Sequence, residues 1–87
     1  MNVRIIRRID GEQTILRIAG RLQSVDLSIL AEEIRTVAGP LLLDLSELVS
    51  ADKAGIEKLC ELAGGRAELR GASGYVQMLL DDQESTG

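Results

Sequence analysis

The run Leu-Leu-Leu-Asp-Leu at residues 41–45 is apolar without alternation apart from Asp44, and it stands between two segments of helical period. An unbroken apolar run of this kind suits a central strand covered on both faces. Before it, Leu27, Leu30, Ile34 and Val37 are spaced by three and four residues, the mark of one helical face. After it, Ile56, Leu59, Cys60 and Ala63 fall at i, i+3, i+4 and i+7. A strand set between two amphipathic helices places the chain in the α/β class, with right-handed parallel crossovers.

The remaining elements follow from period and punctuation. In Val-Arg-Ile-Ile-Arg-Arg-Ile, residues 3–9, Val3, Ile5 and Ile9 share one side at period two, interrupted by Arg7. Asp10-Gly11 supports a tight turn, and the β-rich run Thr14–Leu22 completes an antiparallel hairpin. Ser24 and Asp26 both suit the N-cap of the first helix, a helix of about 12 residues that Gly39-Pro40 stops. Gly64-Gly65 ends the second helix, and residues 66–71 give a short strand with only Ala67 and Leu69 apolar. Ser73 can cap a last helix carrying Val76, Leu79 and Leu80. The expected order is β β α β α β α, a mixed four-stranded sheet with helices packed on it. One domain is expected over residues 1–82, with residues 83–87 a disordered tail that has nothing to bury.

Composition narrows the function. With one Tyr, no Phe and no Trp, the interior must be filled by aliphatic side chains, and Tyr75 alone cannot supply the stacking platform that single-stranded nucleic acid binding needs. The chain has no His and a single Cys, so neither an intramolecular disulfide nor a Cys/His zinc site can form, and no cofactor is expected. Cys60 lies on the apolar helix face and reads as core. The first 22 residues hold five Arg against two acids, while residues 23–87 hold five basic residues against twelve acids. That contrast reads first as a solvated surface of both signs and second as steering of a partner; Arg4, Arg7, Arg8, Arg17 and Arg21 carry no DNA-binding motif or aromatic companions. No stretch approaches a bilayer span or a signal peptide, and a soluble cytoplasmic protein is expected.

Functional groups in open α/β sheets collect at the carboxyl ends of parallel strands, which here means the passage from residues 41–45 into Ser46–Gly55. There Leu-Leu-Leu-Asp-Leu-Ser, a short hydrophobic connection and Asp52-Lys53-Ala54-Gly55 precede a helix. This pattern resembles the STAS domains, whose corresponding segment runs Asp-Leu-Ser, then Asp-Ser-Ser-Gly or Asp-Ser-Thr-Gly, then a helix. Residues 16–22 are similar to the family's second strand with its Gly-x-Leu exit, and residues 64–73 to its next helix-to-strand unit. Family members usually continue past the helix matching residues 73–82 into another strand and helix, so the resemblance implies either a shortened variant or a neighbouring copy supplying the edge of a homodimer.

The resemblance implies a non-catalytic protein-interaction module like an anti-sigma factor antagonist, with Asp52, Lys53, Ala54, Gly55 and Glu57 as the partner-binding residues. In the bacterial antagonists of this family, a partner that is both anti-sigma factor and kinase phosphorylates the serine after that Asp. Lys53 matches the serine and Ala54 the following hydroxyl residue, so the switch would be lost; Ser50 is a hydroxyl three residues upstream with no match to the kinase's target. The alternative implied partner is a lipid-transporting membrane ATPase, beside which STAS-like subunits without the serine occur. Two readings of Lys53 stand from the residues alone. Its stem can extend into solvent with Asp52 or Glu57 neutralising it, or it can meet an acidic partner or anion at the helix entrance. A Schiff-base lysine would need a desolvating pocket, of which the sequence shows none. Asp44 reads as structural, its carboxylate bonding backbone N–H groups at the strand end, and Gly55 as a point of close backbone approach for a partner.

Overall fold

A computed structural model of the chain describes residues 3–86, with side chains through Gln83. Strand β1 (Val3–Asp10) and strand β2 (Gln13–Leu22) pair antiparallel along their length, from Val3 opposite Gly20 to Asp10 opposite Gln13. The two loop residues are therefore Gly11 and Glu12, one step beyond the dipeptide expected to turn. Gly11 takes φ +64, which suits the first central position of a hairpin turn that glycine favours. A 3-10 turn (Ser24–Asp26), helix α1 (Leu27–Arg35), strand β3 (Leu41–Asp44), strand β4 (Leu48–Ala51), helix α2 (Lys53–Ala63), strand β5 (Glu68–Arg70) and helix α3 (Gly74–Thr86) follow. The backbone of α3 thus runs through Thr86; the side chains after Gln83, in the stretch expected as a tail, lie outside the described residues.

Among the described residues the sheet is mixed and has five strands rather than the four expected. Its order is β1-β2-β3-β5, and β4 adds to β2 beyond the point where β3 leaves it. The ten residues of β2 make this possible: Thr14–Arg17 pair with Leu41–Asp44, and Gly20–Leu22 then pair with Leu48–Ala51. Between the two, Leu45 N–H donates to Arg70 O at 2.7 Å, and Gly20 N–H donates to Glu47 O at 3.0 Å. One long strand therefore carries two short parallel partners end to end, and the second delivers the chain into α2.

Among the described residues, the buried apolar side chains of α1, α2 and α3 join one cluster. Leu30 and Ile34 of α1, Ile56, Leu59 and Leu62 of α2, and Val76 and Leu80 of α3 pack with Leu16, Ile18, Leu41 and Leu43 of the sheet. The expected cover on both faces of β3 is therefore corrected: Leu41 and Leu43 are buried in the cluster, whereas Leu42 is half-buried on the opposite face beside Ile15. Alternation in the hairpin obeys the same division. Val3 and Ile5 turn to the core, Ile9 near the turn is exposed, and Arg7 reaches Thr36 Oγ1 at the end of α1 with a 2.9 Å hydrogen bond. On the far face Ile6, Arg8, Ile15, Arg17 and Asp44 line a shallow depression of about 90 Å³.

The helix ends differ in detail from their sequence signals. α1 has nine residues, and Val37 is buried just beyond it. Neither expected cap bonds to it: Asp26 is buried and its Oδ2 accepts from Gln23 N–H at 3.0 Å, holding the 3-10 turn instead. In α2 the buried positions are Gly55, Ile56, Leu59 and Leu62; Cys60 is half-buried, and Ala63, expected on the apolar face, is exposed. Ser73 does cap α3, its Oγ accepting from Val76 N–H at 3.2 Å.

Candidate functional site at the entrance of α2

β4 ends at Ala51, and Asp52 is the N-cap of α2, extended at φ −78 and ψ 179. Its two carboxylate oxygens do different work. Oδ1 accepts from Gly55 N–H at 2.8 Å and so satisfies a free donor of the first turn. Oδ2 accepts from Ser24 N–H at 2.9 Å, 28 residues away in the sequence. The Asp52 N–H meanwhile donates to Leu22 O at 3.0 Å, so Asp52 fastens the exit of β2 to the start of α2 through three hydrogen bonds. Asp52 is exposed at its rim, but its polar atoms are committed to the chain itself.

Gly55 belongs to the same knot. It is buried, and a Cβ built on it would meet Leu22 O at 2.7 Å and Ala51 Cβ at 3.2 Å. The close approach that this glycine permits within the fold is to the chain's own backbone. Ala54 is half-buried beside it, and Glu57 is exposed one turn along.

Lys53 is exposed in the first turn of α2. Among the described residues its ammonium has neither an ion pair nor a hydrogen bond, so it makes no direct contact with Asp52 or Glu57. A fixed cation at this end of a helix opposes the macrodipole at a cost of roughly 0.3–1 kcal/mol. Beside it runs a groove of about 500 Å³ whose apolar floor is Ala51, Ile56 and Leu79 and whose rim is Asp52, Lys53 and Asp82. Leu79 comes from α3, and no sequence signal placed it here because the packing of α3 against α2 and β4 is tertiary. Val25 on the adjoining 3-10 turn, 77% exposed, was likewise not singled out. Ser50 lies back in β4 opposite Arg21, outside the helix entrance.

The second acid of the segment, Asp44, sits at the end of β3. Its Oδ1 accepts from Ser46 N–H at 2.9 Å and its Oδ2 pairs with Arg17 Nε at 3.2 Å. This is the structural role read from the sequence. The Ser46 backbone and hydroxyl groups, and after them Arg17, hold its pKa below the ordinary 3.8, against partial burial. Because the folded value is lowered, the carboxylate stabilises the fold above its unfolded pKa, and that contribution is lost as pH falls through the folded one. Asp44→Asn is therefore expected to cost on the order of 1 kcal/mol at pH 7. In urea titrations against wild type, the difference should shrink below about pH 4; a difference constant down to pH 2 would assign it to packing instead.

Among the described residues no group of three or more His, Cys, Asp or Glu is placed to hold a metal ion, and no helix is long and apolar enough to cross a membrane. No family model and no curated protein matches the sequence. The backbone does match solved structures. The crystal structure of an antisigma-factor antagonist, a STAS domain from Rhodobacter sphaeroides, superimposes with a TM-score of 0.58, covering 83% of this chain and 92% of that one. The fold is that of a STAS domain. At 16% identity the likeness is one of architecture, and it agrees with the resemblance carried by residues 16–22, 41–59 and 64–73. Within this STAS fold the strand-to-helix passage at Asp44–Gly55 is held by two carboxylates, Asp44 at its start and Asp52 at its end, and Lys53 is the exposed cation at its helix entrance.

Proposed function

We propose that the protein is a non-catalytic, cytoplasmic protein-interaction module of the STAS kind, resembling an anti-sigma factor antagonist. Its partner docks at the entrance of α2, over Lys53, Glu57 and the groove floored by Ile56 and Leu79. Lys53 stands where the resemblance puts a phosphorylated serine, and Ala54 where it puts the next hydroxyl. A phosphoserine would bring about −1.5 to −2 charges to this position, whereas the lysine fixes +1, so binding here is set by a permanent charge instead of a reversible one.

The observation that carries this reading is the exposed, unpaired Lys53 ammonium beside an apolar-floored groove, on a turn that Asp52 and Gly55 hold rigidly. A solvated lysine with no role would more readily be an acid or hydroxyl at this helix position. Such a cation, set among Asp52, Glu57 and Asp82, selects a single acidic group of the partner, and it does so mainly through association rate and discrimination.

The test is quantitative capture from native lysate with wild type, Lys53→Glu and, as a control on another surface, Arg35→Glu. One protein is expected to be retained by wild type and Arg35→Glu and lost with Lys53→Glu. Equal recovery of every protein by all three would remove Lys53 from the function. A transport ATPase as the retained protein would assign the chain to a membrane transport complex; a histidine-kinase-like anti-sigma factor would assign it to transcription control.

A further inference from the structure

β1 is the edge of the sheet remote from β3 and β5, and its eight residues pair only with β2 among the described residues. In an antiparallel pair every second residue turns its N–H and C=O away from the partner, so this edge offers a row of free backbone donors and acceptors. Alongside it, between β1 and α1, runs a groove of about 350 Å³ lined by Val3, Ile5, Ile6 and Ile29, with Arg4 and Glu33 at its rim. Ile6 and Ile29 are 44% and 41% exposed, so the groove presents aliphatic surface to solvent.

The charges say what would fit. Arg4 and Arg8 flank Ile6 on the face away from the helices, and among the described residues neither has an ion pair or a side-chain hydrogen bond. The arginines also oppose pairing of β1 with the β1 of a second copy, which would gather six of them on one two-stranded ribbon. An incoming strand has its own period of two. Side chains on its helix side would lie over Ile5 and Ile29, near Glu33, where an aliphatic group fits and an acid does not. Side chains on its other side would lie next to Arg4 and Arg8, where acids fit.

We propose that the β1 edge is a second docking site, which accepts an extended segment of another protein with alternating acidic and aliphatic residues as an added strand. This is β-strand addition, with affinity from main-chain hydrogen bonds and selection from alternate side chains. The site is separate from the entrance of α2 and stands or falls independently of it.

The probe is a capped, fluorescently labelled (Glu-Val)4 peptide titrated into the whole chain, with (Lys-Val)4 and a fully N-methylated (Glu-Val)4 as counterparts. The acidic peptide is expected to bind about tenfold or more tightly than the basic one, a decade corresponding to about 1.4 kcal/mol. It should slow amide exchange in β1, and the N-methylated peptide, which cannot join the ladder, should not bind. In the Arg4→Glu/Arg8→Glu double variant, both sites exposed, the preference should reverse toward (Lys-Val)4. Equal binding of the N-methylated peptide, unchanged exchange in β1, an unreversed preference in the double variant, or no saturable binding by about 1 mM would each overturn the proposal.

Discussion

Asp52→Ala is expected to destabilise the protein by about 2–4 kcal/mol, read as a lowered urea midpoint at pH 7 with unchanged slope. Loss of an N-cap alone costs roughly 0.5–2 kcal/mol. The second oxygen makes the case unusual, because Ser24 N–H at 2.9 Å loses its acceptor as well, and a hydrogen bond to a charged group is worth roughly 1.5–3 kcal/mol where water does not replace it. The Ser24 end is exposed, so water recovers part of that loss and the sum stays at the lower part of the combined range. Asp52→Asn separates the two functions. Its single carbonyl oxygen can still cap Gly55, but its amide would face the Ser24 donor, so an intermediate cost is expected. If alanine costs no more than a simple cap, the link from β2 to α2 through Ser24 carries no energy.

Gly55→Ala sets two effects of opposite sign against each other. In a helix interior alanine is favoured over glycine by up to about 1 kcal/mol. Here the added Cβ would stand 2.7 Å from Leu22 O and 3.2 Å from Ala51 Cβ, and Leu22 O is itself fixed as the acceptor of Asp52 N–H. Neither neighbour is the flexible end of a side chain, so the backbone of β2 or α2 must shift. Overpacking of this kind typically costs 1–3 kcal/mol, and a net loss of about 2 kcal/mol is expected. Gly65→Ala is the control, since nothing lies within 4 Å of its Cβ position and its φ is not positive. That variant should be neutral or slightly stabilising. A Gly55→Ala protein as stable as wild type would mean that the spacing between β2 and α2 is looser than this geometry.

Most of the architecture was legible because period and punctuation agree. The hairpin, the apolar strand at residues 41–45, and the helices carrying Leu30 and Ile34 or Ile56 and Leu59 are all present. β4 was not legible, because Leu-Val-Ser-Ala has too few residues to show a period and exposes Val49; it is a strand only because β2 is long enough to pair with it. The one-sided cover of β3 was hidden for a related reason. Leu42 is apolar like its neighbours, yet the cross-strand company of Ile15, not a helix, half-buries it.

At the site, the strand-to-helix passage was found from topology and resemblance, but the division of labour inside it was not. An Asp directly before a helix is an N-cap signal in any sequence, and it points to Oδ1 on Gly55. The bond from Oδ2 to Ser24 bridges 28 residues and leaves no local trace. Gly55 was read as a place where a partner approaches the backbone; that Leu22 O already lies close to it could not be read, since the two meet only through the fold. The groove beside Lys53 depends on Leu79 for the same reason.

The central claim is that residues 52–55 form a rigid cap whose exposed cation, Lys53, is there for a partner and not for the fold. Measuring both quantities on one preparation of Lys53→Glu tests it most directly. Replacing a cation by an anion in the first turn of α2 should raise unfolding stability by about 0.5–1 kcal/mol, as the charge now favours the helix dipole. The same protein should lose the partner that wild type retains. A variant that is more stable and still recovers that partner in full would contradict the claim, leaving Lys53 a solvated charge.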